Sequence, residues 1–283
     1  MDGPSESHCF LFDNQVKIMS GNVLGKKNGV TLIELLIALV LSSILTAALY
    51  RAFISQERTY TVQDQVAEMQ QNIRVAMGQM TKEIRMAGYG GDMLSIFGDV
   101  NGFTDIITPG TNVITIILAD QVGVLKQNAV KGTQQLKVTN SRIFNTDKKR
   151  YMCMNGLNNY MIQSVVDDTI VLTAPLAEGH PIHQPVYLVK AISYYLGASG
   201  AKTVLRRNEN TGGGGQPVAD HIEGLEFTYF DANGNGTSNS QDIRMVKVAV
   251  TARTSMLDLQ LKGGDGYRRR TLSSNIKVRN MGL

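Results

Sequence analysis

Between Gly29 and Tyr50 the chain holds a single carboxylate, Glu34, in an otherwise uncharged run that begins GVTLIELLIALVLSSIL. Val30 to Tyr50 is 21 residues, which at a rise of ~1.5 Å per residue spans roughly 30 Å, the hydrocarbon thickness of a bilayer. No second run of this kind follows. One membrane crossing is expected. Lys26 and Lys27, just before it, stay on the cytoplasmic side and the bulk after Arg51 is exported. A carboxylate inside such a span costs roughly 2.5–3.5 kcal/mol on insertion scales, so Glu34 is read as a functional residue. A conventional secretory signal would share the lysines and the small residues Thr46-Ala47-Ala48, but not an acid in its apolar core.

The helical pattern continues past the membrane face. Val62, Val66, Met69, Ile73, Met77, Met80 and Ile84 recur at steps of three and four, one apolar stripe on an α-helix, with Gln, Asp, Glu, Arg and Lys between them. No proline interrupts Val30–Ala87, and Gly88-Tyr89-Gly90-Gly91 offers a C-terminal cap. The 58 residues from Val30 to Ala87 predict a helix about 87 Å long, apolar all round in residues 30–50 and amphipathic in residues 51–87. The methionines of the stripe are read as core.

From Ile96 the pattern turns to β. Val113–Leu118, Thr169–Leu172, Val186–Tyr195, Thr203–Arg206, Glu226–Phe230, Met245–Ala252 and Asn275–Val278 are rich in branched and aromatic residues, and Gly, Asn, Asp and Pro separate them. Gly197–Gly200 predicts a hairpin. No helical pattern alternates with these strands, so the fold class expected is α+β: residues 88–283 form a mainly antiparallel head, with the long helix laid across one sheet face. Cys9 precedes the span, which leaves Cys153 alone after it, and the head must rely on packing and not on a disulfide.

Gly29-Val30-Thr31-Leu32-Ile33-Glu34 resembles the class III signal of type IV pilins and type II secretion pseudopilins. The resemblance implies a leader of residues 1–29, cut by prepilin peptidase after Gly29, with Val30 as the new N-terminus and Glu34 as the assembly glutamate. The family's usual first residue is Phe, so Val30 departs from it and puts N-methylation in question. Met19 as the start would give an eleven-residue leader, and is the expected start codon. The order of Val186–Tyr195 with Thr203–Arg206, then Ile222–Tyr229, Met245–Val248 and a closing Val278-Arg279-Asn280, is similar to PilW-like minor pilins, relatives of the J-type pseudopilins. Nothing between Met93 and Pro185 adds to that likeness. The resemblance implies an inner-membrane subunit that is passed into a pilus. Its partners would be other minor and major pilins, the prepilin peptidase and the inner-membrane assembly platform. The alternatives are a J-type pseudopilin of a type II secretion system and, from another class, a calcium-dependent binding module or adhesin displayed on a filament.

Candidate chemistry in the head is sparse. Asp231, Asn233, Asn235, Asn239 and Asp242, with Gly236 at the sixth position, match the spacing of a twelve-residue calcium loop. The same composition makes an Asn/Gly-rich hairpin turn. His180-Pro181-Ile182-His183 lacks an acidic or Cys partner for a metal, and Gly212–Gly215 lacks the Lys-Ser/Thr of a phosphate loop. The net charge is +4; its densest cluster, Arg268-Arg269-Arg270, suits a solvated face better than nucleic acid or anionic lipid. No residue order points to catalysis, so no enzyme and no other cofactor are expected.

Overall fold

The computed structural model describes residues 29–89, 99–144, 150–156, 158–200, 202–261 and 263–281. Apart from Gly29, the expected leader with Met19, Cys9, Lys26 and Lys27 lies outside them, as do Gly90 and Gly91. The chain divides after Gln56 into two compact units, and one helix, α1 (Leu32–Arg85), contributes to both.

In the first unit α1 carries a stretch of mean hydropathy 2.4, none of it buried within the chain. Its hydroxyls are satisfied internally: Ser42 Oγ donates to Leu39 O, Ser43 Oγ to Val40 O and Thr46 Oγ1 to Ser42 O. That back-bonding is what lets polar side chains sit in an apolar span.

In the second unit α1 buries Met69, Ile73, Ala76, Met77, Met80 and Ile84, the expected stripe, while Val62 and Val66 are only half-buried. The helix ends within two residues of the expected Ala87. Gly88 follows at φ +78, a left-handed position where a Cβ would lie 3.0 Å from Asn280 O. Arg279 N donates to Arg85 O, and Asn280 Nδ2 reaches Met86 O and Ala87 O. The chain's closing segment thus satisfies carbonyls that a helix end leaves open.

Twelve strands follow among the described residues: β1 (Ile107–Thr108), β2 (Val113–Val124), β3 (Gln135–Lys137), β4 (Tyr151–Cys153), β5 (Tyr160–Val166), β6 (Thr169–Leu172), β7 (Pro185–Ser199), β8 (Lys202–Asn208), β9 (Gln216–Asp220), β10 (Ile222–Phe230), β11 (Met245–Arg253) and β12 (Arg269–Lys277). The expected α+β class with an antiparallel head is found, but the head has two sheets and not one: nine strands around β2 and β7, and three in the order β10-β11-β12. The long β7 divides one edge, pairing with β4 at Tyr187–Val189 and with β8 at Ser193–Ser199, the expected hairpin. Its other edge pairs with β2, whose ladder is irregular between Gln121 and Gly123. There Gly123 is required, because a Cβ would stand 2.4 Å from Thr139 O.

Burial explains the patterns. Ile114, Ile116 and Leu118 of β2 join Ile192 and Tyr194 of β7 under α1, while Ile117 and Ala119 join Val189 and Ala191 on the opposite face. With both faces covered, the strands read as continuous apolar runs. β10 and β11 alternate instead, sending Leu225, Phe227, Tyr229, Val246, Val248 and Val250 to the helix core. The helix core therefore draws on both sheets. Tyr229 joins them: its hydroxyl donates to Gly110 O at 2.7 Å and accepts from Gly110 N at 2.9 Å. A separate core around Leu136, Phe144, Met152, Ile170 and Leu172 fills the region from β3 to β6. The expected strand Asn275–Val278 is corrected to Arg269–Lys277. Most of β12 is exposed on an outer edge, so no apolar alternation marks its first half.

Candidate functional site

Gly29, Val30 and Glu34 lie at the start of α1, all exposed. Thr31 and Glu34 form a reciprocal capping box: Glu34 N donates to Thr31 Oγ1 at 3.3 Å, and Thr31 N and Oγ1 both donate to Glu34 Oε2 at 3.2 Å. Two otherwise orphaned backbone donors are satisfied, and the carboxylate sits at the positive end of the helix dipole. The Thr-x-x-Glu spacing was visible in the sequence as a capping signal, and it gives Glu34 a local partner within its own chain.

Residues 24–50 match the prokaryotic N-terminal methylation motif. The chain carries a class III prepilin signal. This places it with type IV pilin-like and pseudopilin proteins, which prepilin peptidase processes and whose role is structural. It also fits inner-membrane anchoring through α1 and incorporation into a pilus. Comparison with curated proteins gives no match, nor does comparison with solved structures.

In the head of this prepilin-signal chain, Asp231–Asp242 occupies the turn between β10 and β11. Asp231 Oδ1 accepts from Asn233 N at 2.9 Å and Asn235 N at 2.8 Å, and Oδ2 accepts from Asn235 Nδ2. Those donors, Asn235 N first, hold the Asp231 carboxyl below its ordinary range. Asn239 Nδ2 donates to Asp242 Oδ2 at 2.8 Å, and Asn239 Oδ1 accepts from Gln241 N. The loop's oxygens thus serve the turn itself, and calcium there is a proposal in which the ion must displace these bonds. Among the described residues no group of three His, Cys, Asp or Glu gathers. His180 is buried, and burial holds its pKa down, whereas His183 is exposed at φ +68. Cys153 is buried and its thiol is pushed up to about 12 by desolvation.

Two constellations escaped the sequence reading. On α1, Glu83 accepts from Tyr194 Oη at 2.7 Å, Arg207 Nε at 3.0 Å and Gln79 Nε2 at 3.0 Å. Burial, then Glu83, drives the Tyr194 hydroxyl far up. The signal was available: Glu83 lies three residues after Met80 and four before Ala87, on the buried face, where a charge needs a partner. Beside it runs a groove of about 820 Å³, bordered by Arg74, Lys82, Arg85, Lys190, Arg207 and Arg279. The second is Asp258, buried and held by Arg268 and Arg58. Of the arginine run, Arg268 serves Asp258 and Arg269 serves Glu223 and Asp265, which leaves only Arg270 without a partner among the described residues.

Proposed function

We propose that this chain is a minor pilin, cut after Gly29 and anchored by α1 with its head on the exported side. It then joins a type IV pilus, within the complex that primes assembly. The observation that carries the reading is Glu34 in a helix whose apolar half is wholly unburied within its own chain. Such a surface needs lipid first and other apolar helices later. The order of β7 with β8, then β10, β11 and the closing Val278-Arg279-Asn280, supports a minor subunit, because it follows the PilW-like pattern.

In the filament core Glu34 must exchange its Thr31 partner for a cation, since a carboxylate among apolar helices is tolerable only when paired. Cleavage creates that cation: the α-amino group of Val30 on a neighbouring subunit. Peptidase processing and assembly are linked through one ion pair. The partners are the other pilins, the peptidase and the assembly platform.

The test is genetic and biochemical. A tagged chain in its native host is expected in sheared surface filaments, and its deletion is expected to abolish or sharply reduce them. Intact filaments together with lost protein secretion would assign it to a type II secretion system instead.

A further inference from the structure

We propose that the loop Ser255–Leu261 anchors the head to the membrane surface, with Met256, Leu257 and Leu259 seated in the lipid interface. The inference rests on the reading of α1 as a membrane span. In a soluble loop the large apolar side chains turn inward and the carboxylate faces water. Here the arrangement is inverted. Leu259 is 86% exposed, Met256 62% and Leu257 51%, while Asp258 among them is 7% exposed. Exposed leucines scattered singly mean little, but three large apolar side chains within four residues form a patch.

The inversion is built in. Asp258 Oδ2 accepts from Arg268 Nη2 at 2.7 Å and Nε at 3.0 Å, and Oδ1 accepts from Gln260 N at 3.1 Å and Arg58 Nη2 at 3.3 Å. Asp258 N donates to Gly266 O at 2.8 Å, Leu261 N to Asp258 O at 2.9 Å and Thr254 Oγ1 to Met256 O at 3.0 Å. Ser255 Oγ adds a bond to Glu68 of α1. The backbone is closed on itself and pinned to the helix, so the apolar side chains are held outward.

Lipid is the occupant that the surroundings favour. Arg58, which holds the loop, follows Tyr50, the end of the apolar run, by eight residues. At the helical rise that is about 12 Å of chain, comparable to the headgroup zone of a bilayer. Cations flank the patch: Arg270 is exposed and unpaired among the described residues, and the side chains of Arg58 and Arg268 are 36% and 44% exposed. Tyr267 lies under the Arg253 guanidinium at 4.1 Å. Apolar side chains ringed by arginine and tyrosine suit the boundary between acyl chains and anionic headgroups.

The experiment uses the full chain in vesicles of phosphatidylethanolamine and phosphatidylglycerol. Cys9→Ser removes one thiol, and buried Cys153 does not compete for label. An environment-sensitive fluorophore is placed at Leu259→Cys, at Leu41→Cys in the span, or at exposed Lys131→Cys on the head. Nitroxide lipids then quench from the headgroup or from deep in the acyl region. The Leu41 label is expected to respond to the deep probe. The Leu259 label should respond to the headgroup probe severalfold more than the Lys131 label, and lose that difference with Met256→Ser and Leu257→Ser added. Deep quenching at Leu41 with equal responses at Leu259 and Lys131 overturns the anchor and leaves the span standing. No quenching at Leu41 overturns the span itself. An emission change at Leu259 that arises only in assembled filaments assigns the loop to a neighbouring subunit, and also overturns the anchor.

Discussion

Glu34 is satisfied by Thr31 in the separate chain, so its function depends on a partner exchange that the isolated helix does not need. Glu34→Ala is expected to cost the helix start about 0.5–2 kcal/mol, the usual value of a lost cap, and to leave cleavage after Gly29 intact. Incorporation into filaments should fall severely, because the Val30 amine would be buried without a partner. Intact mass reads the first effect and sheared-filament blots the second; normal filament levels would refute the ion pair. Glu83 is the converse case. Glu83→Ala strands the Tyr194 hydroxyl and the Arg207 guanidinium, and with the pair still 14% and 21% exposed a loss of about 2–3 kcal/mol is expected, in the range of hydrogen bonds to charged groups. Calorimetry of the detergent-purified chain measures it, and a change within error would mean the network contributes nothing. Glu34 was legible because an acid in an apolar run is conspicuous. Glu83 was not, because Arg207 is 124 residues away and both look like ordinary surface charges.

Among the elements, the end of α1 illustrates how local and distant causes combine. Gly88 was readable as a cap, yet its close neighbours Asn280 and Ile106 arrive from elsewhere in the chain. Gly88→Ala is expected to cost about 1–2 kcal/mol for the left-handed backbone alone. Gly88→Val should cost more, since its second branch meets Asn280 O and Ile106; equal melting temperatures for both variants and wild type would sink this account. The β10–β11 turn allows a metal test. Asp231 and Asp242 already accept hydrogen bonds within the turn, so calcium must compete with them. A weak site, at ~10⁻⁴–10⁻³ M, would raise stability by about 1.4 kcal/mol at tenfold excess over Kd. The turn's own bonding predicts no rise with millimolar calcium. A rise that Asp231→Ala with Asp242→Ala removes would instead establish the site. Strands β3, β4 and β9 were missed for a simple reason: three to five residues are too few to display alternation.

At the scale of the whole molecule, processing is the sharpest prediction. Protein extracted from native membranes should have a mass that starts at Val30, and Gly29 replaced by a bulky residue should leave an uncut precursor excluded from filaments. A mature start after Ala48 would mean a conventional signal and would end the pilin reading. The amino-acid sequence by itself determined the membrane helix, the processing signal, the amphipathic half of α1 and the longest strands. Each of these is a repeating or conspicuous pattern within a few tens of residues, where hydrophobic period and the cost of a buried charge act locally. Only the tertiary structure decided that the head has two sheets joined at Tyr229, that β7 shares one edge between β4 and β8, and that Asp258 turns inward while its apolar neighbours face out. Those outcomes depend on which distant hydrogen-bond donors and apolar faces meet when the chain closes, and no local period encodes that meeting.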